Sequence, residues 1–168
     1  MNAKARRYRY LLALCALVLS GCSDSYVAYS HDGVLISQGK GKPGAERGAW
    51  TLRYFDGSLR ARGNYDDQGR RTGIWETFFR NGQRESLGER SWVDEEYGSL
   101  RTGPWTFWHE NGFQRSKGSY SNGRREGPWV FTKSDGSPDP KLSGWYRADL
   151  LTDPPPSPSP ANQPSGSK

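Results

Sequence analysis

The sequence predicts an all-β fold: an elongated antiparallel sheet of consecutive β-hairpins. Three observations predict it. Gly-x-Trp recurs at Gly48 to Trp50, Gly73 to Trp75, Gly103 to Trp105 and Gly127 to Trp129, with Trp spacings of 25, 30 and 24 residues. Six residues after each Trp stands Asp-Gly or Asn-Gly, at Asp56-Gly57, Asn81-Gly82, Asn111-Gly112 and Asp135-Gly136. No stretch of ten residues beyond the N-terminal apolar run has helical periodicity.

Each column has a structural reason. Asn-Gly and Asp-Gly supply the positive φ angles that a type I′ hairpin turn demands, so each pair is expected to be such a turn. Segments before the turns alternate as strands do, placing Trp50, Leu52 and Tyr54 on one face, and likewise Trp75, Thr77 and Phe79, then Trp105, Phe107 and His109, then Trp129 and Phe131. Returning strands carry a glycine six residues after the turn, at Gly39, Gly63, Gly88 and Gly118, and eight after it at Gly144. A glycine there lets a neighbouring indole approach the backbone. Asp32-Gly33 heads an incomplete first copy, and polar stretches such as 121–127 connect successive hairpins. Regular recurrence is what packing requires of a repeat array, so the Trp column reads first as structure.

The array is flanked by segments of other character. Residues 1–21 have a basic start (Lys4, Arg6, Arg7, Arg9), an apolar run from Leu11 to Leu19, and Ser20-Gly21 before Cys22. That is the pattern of a secretory signal peptide, and its apolar run is far shorter than the roughly 20 residues a bilayer-spanning helix needs. Leu19-Ser20-Gly21-Cys22 resembles the bacterial lipobox. The resemblance implies cleavage before Cys22, lipidation of its thiol and acylation of the new amino terminus. More than one acyl chain anchors a protein stably to a membrane it does not cross. Ser23 after the cysteine, where Asp would favour inner-membrane retention, implies a place in the outer membrane of the cell envelope. Residues 22–28 then form a short tether, 29–147 the repeat domain, and 148–168, rich in Pro and Ser, an extended disordered tail.

Cleavage also changes the charge. The chain has 24 Lys and Arg against 18 Asp and Glu, a net of +6. Removing the four bases of the signal leaves 20 against 18, a net of +2, which withdraws the apparent case for nucleic acid. Of two cysteines, Cys15 leaves with the signal and Cys22 becomes the anchor, so no disulfide or thiol nucleophile remains. Two histidines, His31 and His109, stand without ligand partners at metal spacing, and no nucleophile-elbow motif presents a serine. The sequence calls for no enzyme, metal or cofactor.

With its Trp, aromatic, Asn-Gly and Gly-x-Tyr columns, the array resembles the MORN repeat, in the variant found in bacterial antitoxin-like and secreted proteins. Gly63-Asn64-Tyr65, Gly118-Ser119-Tyr120 and Gly144-Trp145-Tyr146 carry the second half of the motif. The third copy departs from it, with Arg90 where the Tyr belongs and a five-residue insertion within Trp92 to Ser99. The resemblance implies a ribbon of hairpins acting as a scaffold for varied partners.

Binding candidates lie off the Trp column: Trp108, Phe55 and Phe78 on the opposite face, and Trp92 with Asp94, Glu95 and Glu96 in the insertion, since interruptions of a repeat map to loops that carry specificity. Arg60, Arg62, Arg70, Arg71, Arg80, Arg84, Arg115, Arg124 and Arg125 form a basic series interleaved with acids, which reads first as a mixed, solvated surface and second as a stripe that meets anionic lipid headgroups or an acidic protein. Two functions fit: a non-catalytic protein-interaction scaffold of antitoxin or immunity type, or a module that binds peptidoglycan or another cell-wall polysaccharide.

Overall fold

A computed structural model of the chain describes residues 24–154. The expected signal peptide, Cys22 and the end of the proline-rich segment lie outside those residues. The described part is all-β. Strands β1 (Ser25–Tyr29), β2 (Leu35–Lys42), β3 (Ala45–Arg53), β4 (Leu59–Tyr65), β5 (Arg71–Phe78), β6 (Arg84–Asp94), β7 (Gly98–Trp108), β8 (Gln114–Ser121), β9 (Arg124–Phe131), β10 (Gly144–Arg147) and β11 (Leu150–Thr152) form one sheet in chain order. Every neighbouring pair is antiparallel, so each strand packs only against its neighbours in sequence, as in any linear repeat.

The buried apolar residues are Trp50, Ala61, Trp75, Trp105, Phe107, Trp129 and Tyr146, all on the predicted Trp face. Each Trp serves the hairpin before its own. In the ladder Trp75 is paired with Gly88, yet its indole covers Gly63 on the other side, where an added Cβ would fall less than 3.0 Å from ring carbons. Trp50 covers Gly39, Trp105 covers Gly88 and Trp129 covers Gly118 in the same way. The indole N–H then donates to the carbonyl one residue past the covered glycine: Trp50 to Lys40 (2.9 Å), Trp75 to Asn64 (3.2 Å), Trp105 to Glu89 (3.0 Å) and Trp129 to Ser119 (3.0 Å). A buried indole thereby loses no hydrogen bond.

Bulges make this overlap. The ladder slips at Gln38/Lys40, Arg62/Asn64, Gly88/Glu89 and Lys117/Ser119, beside each covered glycine. The first glycine of each Gly-x-Trp supplies the left-handed residue opposite, with φ of 61°, 64°, 60° and 78° at Gly48, Gly73, Gly103 and Gly127. Gly-x-Trp is therefore a bulge-and-cover unit.

The hairpin turns differ from the type I′ expectation. In Tyr54–Gly57 the N–H of Gly57 donates to the Tyr54 carbonyl at 2.9 Å, and φ is positive at Gly57 but not at Asp56. This is a three-residue loop closing through a glycine bulge, and the ladder shifts accordingly between Leu52 and Arg53. Asp or Asn is selected for a different reason: its Oδ1 accepts the N–H beyond the glycine, at Asp56 from Ser58, Asn81 from Gln83, Asn111 from Phe113 and Asp135 from Ser137. Two-residue loops with both φ positive occur at the other ends of the strands, at Asn122-Gly123 (46° and 79°), within a stretch read as a polar connection, and at Ala148-Asp149 (49° and 74°).

Both ends of the array extend past the expected boundaries of 29 and 147. Strand β1 takes up most of the tether, and its Tyr26 ring stacks 5.7 Å from Trp50, shielding the first indole of the column. At the other end a turn through Ala148 and Asp149 returns β11, whose Leu151 lies on Gly144 where the other copies have a Trp. Each end strand covers a repeat that has no further neighbour.

Candidate functional site

Aromatic side chains run along the Trp face as a ladder, with a tyrosine edge-on between successive indoles. Tyr65 lies 6.0 Å from Trp50 and 5.3 Å from Trp75; Tyr120 lies 6.1 Å from Trp105 and 5.0 Å from Trp129. Between Trp75 and Trp105 the equivalent position is Arg90, and the ladder is interrupted there. An arginine also stands opposite each of these positions in the next strand, pairing Tyr65 with Arg71, Tyr120 with Arg125, and Arg90 with Arg101. The third pair sets two cations against each other.

Over this interruption runs a groove of about 430 Å³, lined by Arg60, Arg71, Arg90, Arg101 and Arg115 above a floor that includes Trp75, Trp105 and Phe107. Glu85 is its only carboxylate. A second groove of about 430 Å³ shares Arg101, Phe107 and Arg115 and continues along the sheet past Tyr120 and Trp129. Among the described residues, the ion pairs use Arg47, Arg62, Arg70, Arg80, Arg84 and Arg125. The five arginines of the first groove make none. Arg60 is exposed, and the other four are held by stacking or by neutral acceptors instead. The guanidinium carbon of Arg71 lies 4.7 Å from the Trp75 ring; that of Arg101 lies 5.1 Å from Trp105, 5.2 Å from Phe107 and 5.4 Å from Tyr120; that of Arg115 lies 5.4 Å from Phe107. Arg90 donates to the Ser99 carbonyl at 2.9 Å. Its burial, followed by the charges of Arg71 and Arg101, holds its guanidinium below the usual arginine range. Arg101 Nε is buried without a partner.

The opposite face carries a different arrangement. Buried Glu76 receives Arg62 Nε at 2.5 Å and an Arg84 guanidinium nitrogen at 2.6 Å. Those two guanidiniums lie on Phe78 (5.7 Å) and Trp108 (5.3 Å). Phe78 and Trp108 are thus brought into one network, with one ring face of each occupied by a cation. Trp92 stands apart with Arg70 stacked 4.8 Å from its ring, and Phe55 sits 75% exposed at a turn tip. In the insertion, β6 and β7 form the longest hairpin, and Asp94 Oδ1 closes its tip by accepting the N–H groups of Glu96 (3.0 Å) and Tyr97 (2.9 Å). Glu95 and Glu96 project into solvent.

The basic series of the sequence therefore divides by partner. Arg62, Arg70, Arg80, Arg84 and Arg125 are neutralised by carboxylates; Arg60, Arg71, Arg115 and Arg124 are not, and they are joined by Arg90 and Arg101, which the series omitted. The available signal was the repeat itself, because Arg101 occupies the column of Arg71 and Arg125, and Arg90 replaces a Tyr.

His109 Nε2 lies 2.9 Å from the Thr132 carbonyl. Among the described residues no group of three metal-ligating side chains forms, and no helix is long and apolar enough to cross a membrane. No protein-family model matches the chain, and no curated protein matches it.

Proposed function

We propose that this chain is a lipid-anchored, non-catalytic β-repeat scaffold of the bacterial envelope that docks an acidic protein partner on its Trp face. The observation that carries the reading is the groove of five arginines without carboxylate partners on a rigid aromatic floor. Unpaired cations, four of them (Arg71, Arg90, Arg101 and Arg115) pre-oriented by ring contacts, are what a surface requires to steer and hold an acidic partner. The lipobox-like Leu19 to Cys22 segment supports the anchor, and the resemblance to MORN repeats supports the scaffold role and an antitoxin or immunity relationship. The occupied ring faces of Trp92 and Trp108 weigh against the polysaccharide reading, which needed them open.

Two experiments test the two halves. Full chain in detergent should retain polyglutamate, and Arg60→Glu with Arg115→Glu should abolish retention while Lys117→Glu on the other face does not. Equal retention by the double variant would overturn the docking surface. Replacing Cys22 by Ala should eliminate fatty-acid labelling and release the protein from membranes; labelling that persists would remove the anchor.

A further inference from the structure

Arg90 and Arg101 are direct cross-strand partners on β6 and β7, and Arg71 reaches the same groove from β5 on the far side of Arg90. Like charges directly opposite each other weaken a sheet. Elsewhere in the array the position of Arg90 is Tyr65, Tyr120 or Tyr146, which contact the indoles and add to the core. Here one repeat forgoes the tyrosine, breaks its aromatic ladder and concentrates three cations on three adjacent strands, Arg90 directly opposite Arg101 and Arg71 two residues from Gly73, the residue opposite Arg90 on the other side. Each is fixed by other contacts. Arg71 stacks on Trp75 and its Nε lies 3.4 Å from Tyr65 Oη; Arg90 is tied to the Ser99 carbonyl; Arg101 stacks on Trp105 with a terminal nitrogen 3.4 Å from Tyr120 Oη. None has a carboxylate partner, and Arg101 retains a buried N–H with no acceptor.

We propose that Arg71, Arg90 and Arg101 form a binding site for the phosphomonoester group of a small phosphorylated molecule. The charge and geometry select that group over a carboxylate. A carboxylate brings one charge and two oxygens to three forked donors, whereas a phosphomonoester brings nearly two charges and three strong acceptor oxygens. The groove of about 430 Å³ has room for a ligand the size of a monosaccharide phosphate, with Tyr54 and Phe107 among its lining residues. The inference rests on the reading that this groove is a ligand face, but it names a small ligand for one part of it.

The test is calorimetric titration of the full chain in detergent with inorganic phosphate, glucose 6-phosphate and glucose. Saturable binding of both phosphates and none of glucose is expected. Equal affinity for the two phosphates defines a site for the dianion alone, and tighter glucose 6-phosphate adds a contact to the sugar. Arg90→Tyr restores the repeat's own residue, so it should fold, melt higher than wild type and bind phosphate about tenfold more weakly or worse. Arg101→Gln should weaken binding similarly with the fold unchanged in near-ultraviolet circular dichroism. Absence of phosphate binding by the wild type, or wild-type affinity in both variants, overturns the site. Retention of polyglutamate by a protein that ignores phosphate would overturn this inference alone and leave the docking surface standing.

Discussion

The indole of Trp75 covers the backbone of Gly63 and donates its N–H to the carbonyl of the next residue, Asn64, at 3.2 Å. Cover and hydrogen bond come from one side chain, so the ring cannot slide away from an intruding methyl without losing the bond. Gly63→Ala should therefore cost about 3 kcal/mol, the upper part of the range for overpacking. The comparison is Gly82→Ala, at a turn glycine with φ of 84° and open space around its Cα, where only backbone strain of about 1 kcal/mol applies. Urea midpoints of the two variants decide the matter. A Gly63→Ala protein no less stable than Gly82→Ala would show that the cover contributes nothing.

Packing and stacking should separate just as clearly between two tryptophans. Trp129 is 2% exposed, touched by Tyr120, Phe131 and Tyr146, and hydrogen-bonded to the Ser119 carbonyl. Trp92 is half-buried and carries Arg70 on one face. Trp129→Ala is expected to lose about 4 kcal/mol as a cavity forms in the aromatic ladder. Trp92→Ala should lose about 1 kcal/mol or less, the scale of an exposed cation–π contact. Denaturant unfolding of both variants at one protein concentration is the measurement, and equal losses would mean that the Trp face is not the core.

The contrast between these residues shows what was legible in the sequence. Trp50, Trp75, Trp105 and Trp129 announce themselves because repetition of a rare, bulky residue at fixed spacing has few causes other than packing. Gly39, Gly63, Gly88 and Gly118 are legible with them as the space an indole needs. The turn geometry was not, since Asp56-Gly57 and Asn122-Gly123 carry the same kind of dipeptide, and the ladder register around each decides which loop forms. Nor was the division of arginines by partner. Arg62 meets Glu76 across 14 residues, and only the strand pairing shows that Arg60, two positions earlier, meets no carboxylate. Arg90 was visible as a departure from the motif, but its meaning appears only when Arg101 is seen opposite it.

Glu76 offers a third measurement, because one buried carboxylate serves two arginines whose side chains are 57% and 43% exposed. Removing either Arg62 or Arg84 leaves Glu76 with the other, and solvent screens the pairs, so each Arg→Ala change should cost about 1 kcal/mol or less. Removing both strands a buried charge, and the double variant should lose more than the sum of the singles by about 1 kcal/mol or more. A double-mutant cycle on urea midpoints reads this directly. Strict additivity would mean that water already satisfies the carboxylate.

The hairpin turns carry a pH dependence whose sign follows from their hydrogen bonds. Asp56 accepts from the hydroxyl and the N–H of Ser58, and Asp135 accepts from both groups of Ser137. The serine hydroxyl is the largest cause, and it holds each carboxyl below the usual carboxylate range. A group whose folded value lies below its unfolded value stabilises fully above the unfolded value, about 3.9 for Asp, and loses that stabilisation as pH falls through the folded value. The Asn81 and Asn111 turns accept the same backbone bond with an amide that does not titrate. Asp56→Asn combined with Asp135→Asn should therefore keep the fold and melt with a smaller drop between about pH 5 and pH 2 than the wild type does. Glu95→Gln with Glu96→Gln removes the same two charges from an exposed hairpin tip and serves as the charge-matched control. If the control flattens the melting profile as much as the turn variant does, the acid response reflects overall charge and not the turn carboxylates.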